Sequence, residues 1–557
     1  MTAPAADIGT GGAVHNLARA ARHKLASGVF RTSLYQLWLR GSGTKKLRYL
    51  PADPWGGDPA QADRLFQGRY RFAGQEYLLP REAPWYLASA SAAWTAEANS
   101  FNYLRHFAAQ GGEAARRHAR ALVATWIDWN QDIAGTAWRP DVVGERLVHW
   151  LGAASFLLRD ADETFVASFE RSLAQQAKHL SHAVAFADPG APRLEALIGL
   201  AIATLGLSGG EGRWPRLLAE LEAELDWQVL PDGGHVSRNP AELHRLLRSL
   251  ITLRSACLGA GLEPPLAVLS AIDRMAPMLR FFRHGDGGLA LFHGGGEDDW
   301  AEIELSLLKA DAPGRPLASA PYSGFERLAA GRGLVIADAG VPPPSFARPH
   351  ASLLALEYSY GRDRLIVNCG DIASGDAAWR RALAASAAHS TLVVGDRNSA
   401  ALSARRVRLP DPTRERTVTD GQQWLTLCHE GYGARFGLRH RRRICLMPAG
   451  DDLRGEDTLE PIPERPVQGL AFSLRFHLHP EIQASLQQDK RAVLLKAAKG
   501  QCWRFVCSGG EMGLDASLYF GASQRRRAQQ IVVGGLVDAR QGAAASWSLT
   551  RIKSASS

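Results

Sequence analysis

Two stretches of this chain carry most of the side chains that could do chemistry. The first is Asp232-Gly-Gly-His235, followed by Asn239-Pro-Ala-Glu242-Leu-His244. An imidazole titrates near neutrality, so it can act as acid or base, and a nearby carboxylate can tune it. The Gly-Gly turn should expose His235. Pro240 suits the first position of a helix and Asn239 its N-cap, which places Glu242 in the first turn and His244 on the same helix. Each group also has a plainer reading: Glu242 complements the helix dipole, and the two histidines serve structure. The second stretch runs from His350 through Glu357 and Asn368 to Gly370, and is followed by Ala388-His389-Ser-Thr391. It reads as two strands joined by a Gly-centred turn, with a further strand opening at His389. Glu357 is an odd carboxylate in an apolar strand, and a pairing with Arg332 or Arg364 is expected.

The elements that must position these groups differ along the chain. Residues 15–50 read as helical and basic, and Tyr70–Tyr77 alternates around a glycine like a short hairpin. From about residue 90 to 290, apolar residues recur at three- and four-residue steps, as in Gly144–Leu158, Arg193–Leu207 and Ala241–Gly259. Breaks rich in Gly, Pro and Asp separate them, so an array of helical hairpins is expected; bundle and toroid both fit. After Gly294-Gly-Gly296 the period becomes two. Segments such as Glu326–Asp338, Arg439–Met447 and Val467–His479 read as strands of stacked antiparallel sheets. A linker is expected near residues 300–320. The domains expected are 1–90, 91–300 and 315–557.

Composition narrows the function classes. With 557 residues, 46% hydrophobic and 22% charged, the chain suits two or three globular domains. No apolar run reaches the length of a membrane span, and Met1–Ala26 lacks a signal-peptide core. A cytoplasmic location is therefore expected, with the periplasm or cell envelope as the alternative. The six cysteines have no zinc-like spacing and are expected to be buried free thiols. The net charge of +9 suits an anionic partner. No nucleic-acid module accompanies the basic runs Arg439–Arg443 and Arg525–Arg527, so nucleic acid is not the expected partner. Along a strand, the charges of the first run should split between two faces.

The second stretch resembles the C-terminal part of the heparinase II/III polysaccharide lyases, which carry patterns like His-Ala-Asp, Leu-Val-Asp-Pro-Gly and His-Asn-Thr. Asn99-Ser-Phe-Asn102, Arg146-Leu-Val-His-Trp150 and Asp232-Gly-Gly-His235 look like that family's helical domain. The resemblance implies an incomplete α/α toroid followed by an antiparallel β-sandwich. It also implies β-elimination of an acidic, uronic-acid-containing polysaccharide or oligosaccharide, held in a cleft between domains. Such a reaction needs a base for the proton α to the carboxylate, an acid for the leaving oxygen, and a group that stabilises the enediolate.

Three family positions differ here. Gly190-Ala-Pro-Arg193 lacks the family's Asn or His, Asn239–His244 lacks its Tyr, and Arg348 replaces a His. The catalytic candidates that remain are His235, Glu242, His244 and Arg348. Arg348 would pair with the substrate carboxylate, because it cannot exchange a proton at neutral pH. Asn102, Trp150 and Tyr322 are the substrate-binding candidates. His350, Asn368 and His389 match the family's structural zinc ligands, with the Asn a weaker donor than the usual carboxylate. The alternative readings are a non-catalytic carbohydrate-binding member and a cell-envelope-associated scaffold.

Overall fold

The computed structural model describes residues 28–41, 45–80, 83–130, 132–343, 348–371, 377–402, 411–462, 470–521, 524–538 and 540–553. The chain forms two compact units. One comprises the segment up to Gln228 with Arg248–Ile272, and the other comprises Val229–Leu247 with Asp273 to the C-terminus.

The first unit is mainly helical. Its helices are α1 (Ser33–Arg40), α2 (Pro59–Phe66), α3 (Ala92–Ser100), α4 (Leu104–Gln110), α5 (Gly112–Trp129), α6 (Pro140–Leu158), α7 (Glu163–Ala183), α8 (Ala191–Gly206) and α9 (Trp214–Gln228). A hairpin of β1 (Arg69–Phe72) and β2 (Gln75–Leu78) lies between α2 and α3. Of the basic N-terminal stretch, α1 is helical; residues 15–27 and 42–44 lie outside the described residues. Local start signals are in place. Asp162 caps α7 by accepting from the Phe165 N–H at 2.8 Å, and Pro140 opens α6.

Helix α8 is apolar almost all round and correspondingly buried. It crosses α6 at two glycines: a Cβ on Gly199 would lie 2.3 Å from the Cα of Gly144. The backbones touch there because neither residue has a side chain. Arg146, fully buried, anchors the same region. It donates to Gln176 (2.7 Å) and to the carbonyls of Asn99 (3.0 Å) and Ala137 (2.9 Å), and lies over the Trp126 ring.

Two further helices, α10 (Pro240–Gly259) and α11 (Leu266–Phe281), contribute to both units. The second unit adds α12 (Trp300–Ala310), so the expected linker near 300–320 is partly helical. Asp299 caps it by accepting from Ala301 N at 2.7 Å, a signal masked by the Pro and Gly residues that follow.

Two antiparallel sheets then stack. The first contains β3 (Ser319–Ala320), β4 (Phe325–Ala330), β5 (Gly333–Asp338), β6 (Leu356–Tyr360), β7 (Asp363–Val367) and β8 (Leu392–Val394). The second begins with β9 (Thr413–Thr419), β10 (Gln422–His429), β11 (Leu438–Leu446) and β12 (Asp452–Pro461). The chain returns to the first sheet as β13 (Leu470–Leu478), then forms β14 (Gln483–Leu486), β15 (Ala492–Lys496) and β16 (Cys502–Ser508) in the second. Strands β17 (Glu511–Tyr519) and β18 (Arg526–Val537) complete the first sheet, and β19 (Ala543–Ile552) completes the second.

The second sheet has the order β14-β15-β16-β19-β12-β11-β10-β9. The first runs β17-β18-β13-β7-β6-β5-β4-β3, with β8 paired to β13. Their inner faces share one core, in which Leu328, Val335 and Leu474 of one sheet meet Leu427, Ile444 and Leu549 of the other. In β11 the basic run alternates as expected: His440 and Arg442 point inward, while Arg441 and Arg443 are exposed. All six cysteines are free. Among the described residues, no helix is long and apolar enough to cross a membrane.

The glycine crossing yields a test. Gly199→Val should destabilise the protein by about 3 kcal/mol or more, because the added atoms would meet backbone that cannot move aside. Urea unfolding followed by circular dichroism measures it, and an unchanged midpoint would refute the crossing.

Candidate functional site

The second unit brings His235, Glu242 and Arg348 into one group. Asp232 sets the turn that starts it: its carboxylate accepts from the backbone N–H groups of Tyr322 (2.8 Å) and Ser323 (2.7 Å) and from the Ser323 hydroxyl (2.5 Å). Gly234 has no room for a side chain, since a Cβ would fall 1.8 Å from Ser323 Oγ. The turn therefore packs against the start of the β-region, and His235 is buried at 2% exposure instead of being presented to solvent as the Gly-Gly turn suggested.

His235 Nδ1 lies 2.7 Å from Ser237 Oγ and accepts from the Ser237 N–H at 3.2 Å. The same ring nitrogen is 3.6 Å from Glu242 Oε2. Burial lowers the His235 pKa, opposed by the Glu242 charge. Burial pushes the Glu242 carboxyl up, but His235, Arg245, Ser237 and Arg348 together outweigh it and hold the carboxyl below its ordinary value. Asn239 caps α10 as expected, accepting from the N–H groups of Ala241 (2.9 Å) and Glu242 (3.2 Å). Arg348 is exposed and has φ of 51°, a left-handed conformation uncommon for a side-chain-bearing residue.

The other candidates are placed differently. His244 is buried, with Nδ1 on Asp298 at 2.8 Å and Nε2 on Ser306 Oγ at 2.9 Å, so both ring nitrogens tie α10 to the α12 region. Trp150, expected to offer its face to a sugar, is fully buried in the helical unit. It packs edge-on to Phe101 and Trp126 and stacks on Phe169, which leaves no face for a ligand. Asn102, partly exposed in that unit, hydrogen-bonds the half-buried Glu97. Tyr322 keeps an exposed ring, at 63% exposure.

At the candidate metal position, His350 Nδ1 and His389 Nε2 lie 3.3 Å apart, close enough to share one partner. Asn368 is committed elsewhere: its carbonyl oxygen accepts from the Ser390 N–H (3.0 Å) and its amide donates to Glu357 (3.2 Å). Among the described residues, no group of three His, Cys, Asp or Glu side chains is arranged to hold a metal. Burial drives both imidazoles toward the neutral form, His389 down to about 3.

Sequence reasoning missed the polar network that surrounds these histidines. The Arg238 guanidinium is buried and pairs with Asp338; it also donates to the carbonyls of Ser323 (2.6 Å), Gly324 (2.8 Å) and Val341 (2.7 Å). The other Asp338 oxygen accepts from Ser352 Oγ (2.7 Å) and lies 3.1 Å from His293 Nε2. Glu357 pairs with neither Arg332 nor Arg364. It meets His284 at 3.0 Å, while Arg364 holds Asp286 at 2.7 Å. Carboxylates in otherwise apolar strands were the available signal, because a buried charge demands a partner.

Comparison with known proteins follows this geometry. Residues 312–548 match the model for the heparinase II/III-like C-terminal domain. FtsZ-localized protein C of Caulobacter vibrioides is 34% identical over 524 residues, covering 90% of this chain and 89% of that protein. A crystal structure of heparinase III superposes with a TM-score of 0.71 at 13% identity, covering 98% of this chain and 93% of that one. A heparan sulfate lyase mutant from Pedobacter heparinus gives 0.62 at 14%, covering 99% and 92%. The helical region followed by large antiparallel sheets is thus a polysaccharide-lyase-like fold. The chain belongs to the heparinase II/III family.

Two tests follow. Asp338→Asn should cost about 3–5 kcal/mol, because it leaves a buried guanidinium without its counter-charge; a urea midpoint equal to that of the unmodified protein would refute the role of the pair. The buried neutral histidines also predict a pH dependence. His179 and His477 are held near about 4 by burial, whereas an unfolded imidazole takes its proton near 6.5. The unfolded state binds more protons between those values. Stability is therefore full above about pH 6.5 and falls as pH drops toward 4, by up to about 1.4 kcal/mol per pH unit for each histidine. A flat profile of unfolding free energy from pH 7 to 5 would contradict this.

Proposed function

We propose that this chain is a non-catalytic member of the heparinase II/III family that acts in the cytoplasm in association with FtsZ. The observation that carries the reading is the 34% identity to FtsZ-localized protein C across 90% of the chain. The candidate site agrees with it. His235, the best proton-transfer group, is buried at 2% exposure, and the family's Tyr has no counterpart in Asn239–His244.

The test is co-sedimentation with polymerised FtsZ. The expected result is saturable pelleting of this protein with polymer and none without it. Failure to pellet across a range of polymer concentrations would overturn the reading.

A second reading, β-elimination of an acidic polysaccharide, is favoured by the grouping of His235, Glu242 and Arg348. In it, Arg348 pairs with the uronate carboxylate and stabilises the enediolate, and His235 moves the proton. A screen of acidic polysaccharides for new absorbance near about 230 nm separates the readings, since elimination alone creates the unsaturated uronate. Our reading expects no rise. A rise abolished by His235→Ala and Arg348→Ala would establish the lyase, and binding without a rise would make the chain a carbohydrate-binding module.

The histidine pair is read in the same way. His350 and His389 are proposed to hold each other by hydrogen bonding, with Asn368 serving Glu357 in place of a metal. Chelator should then leave the melting temperature unchanged. Stoichiometric zinc whose removal lowers that temperature would establish a metal site instead.

A further inference from the structure

A pocket of about 450 Å³ in the second unit is lined by four arginines, Arg280, Arg283, Arg327 and Arg332, with His284 and Ser359 in its wall. None of its lining residues is an Asp or Glu. The arginines come from separate places in the fold. Arg280 ends α11, Arg283 follows it, Arg327 lies on β4, and Arg332 lies in the turn before β5.

Their existing partners leave donors to spare. Arg280 Nη2 donates to the Ala312 carbonyl at 2.9 Å, but its buried Nη1 has no hydrogen-bond partner among the described residues. The buried Nε of Arg327 also has none. Arg332 is exposed and lies 5.0 Å from the centre of the Tyr360 ring. Arg283 meets Glu304 at 2.8 Å, but that carboxylate is 61% exposed, so water screens the pair. The Arg327 guanidinium is strained electrostatically as well: burial and the nearby Arg416 both disfavour its charge. His284 is turned away, with its ring nitrogens on Ser359 and Glu357.

We propose that this pocket binds the phosphate head of a small phosphorylated ligand. Guanidiniums arriving from four chain positions suit a tetrahedral oxyanion with several acceptor oxygens better than a planar carboxylate. No Phe, Tyr or Trp lines the pocket, and the His284 ring is engaged by Ser359 and Glu357, so the charged head itself is what it recognises. The volume suits a small molecule rather than a polymer segment. The pocket shares no residue with the His235 group and does not depend on the role proposed for the chain.

Isothermal titration of the intact protein with inorganic pyrophosphate at low salt tests the site. One-to-one binding is expected. R332Q, an exposed turn variant that should fold normally, and R280Q should each weaken it roughly tenfold or more, as loss of a charge-assisted hydrogen bond does. R443Q, whose guanidinium lies over Trp424 on the other sheet, should bind like the unmodified protein. Thermal melts confirm that each variant is folded.

Phosphatidylcholine vesicles containing phosphatidate distinguish the source of the phosphate. Vesicle binding lost in R332Q assigns a lipid headgroup, and binding of soluble pyrophosphate alone assigns a free phosphorylated molecule. The proposal is overturned if neither binds, if R332Q binds pyrophosphate as the unmodified protein does, or if a sulfated or uronate oligosaccharide binds this pocket more tightly.

Discussion

The buried pair of Arg238 and Asp338 is the constraint on which the candidate site rests. Arg238 is 7% exposed and Asp338 1%, so both charges are removed from water at a cost of several kcal/mol each. That cost is offset only because nearly every polar atom is engaged. The guanidinium donates to carbonyls at Ser323, Gly324 and Val341 as well as to Asp338, and the carboxylate also accepts from Ser352 and Gly340. The counter-charge holds the Asp338 carboxyl well below the ordinary carboxylate range despite its burial. One ion pair thus joins the turn bearing His235, the first long strands of the β-region and the cluster of His293, His350 and His389. Such a pair adds little net stability compared with an apolar replacement, but it fixes where each of those segments must lie.

The same logic explains why Asn suits position 368. Glu357 is fully buried and accepts from the N–H groups of Leu291 (3.0 Å) and Asn368 (3.0 Å) and from the Asn368 amide (3.2 Å). The other side of that amide accepts from Ser390. An aspartate could accept from Ser390 but could not donate to Glu357, and two carboxylates would then face each other without water. Asn368 is thus a neutral bridge between Glu357 and Ser390. A third buried carboxylate, Asp457, follows the pattern in the other sheet. It pairs with Arg442 and His440 and accepts from Trp547 Nε1, and those contacts outweigh burial to hold its pKa at about 2.

The helical half was legible because its signals are local. Apolar residues at three- and four-residue steps, with Asn239 and Pro240 at one start, mark these helices to within a few residues of where they lie. The sheets were less so. Strands β3, β9, β12, β14, β17, β18 and β19 carry no clear alternating signal, because most have partly exposed faces rich in polar residues, and only pairing with other strands makes them strands. The basic run in β11 was read correctly as alternating, yet nothing local shows that Arg442 is buried against Asp457. At the candidate site, the Asn239 cap was visible because it acts over a few residues. The burial of His235 was not, since it depends on Asp232 reaching Tyr322 and Ser323 some 90 positions along the chain (322 − 232). Trp150 failed for a related reason: periodicity marks an aromatic residue as facing inward but does not distinguish a core from a cleft.

In this family member the fold is better defined than the chemistry it carries. The sheets, the Asp232 turn and the two histidines at 350 and 389 persist, and all of them act through packing or through hydrogen bonds internal to the chain. Three positions differ from the pattern the resemblance implies: no Tyr lies in Asn239–His244, Gly190–Arg193 has no Asn or His, and Arg stands at 348. A permanently charged guanidinium can hold a carboxylate, but it cannot pass on a proton. Under the proposed reading, Arg348 serves recognition of an anion, while His235 stays buried beside Ser237 and Glu242. Fold alone does not fix reaction, so these side chains, and not the sheets that carry them, decide between the two readings.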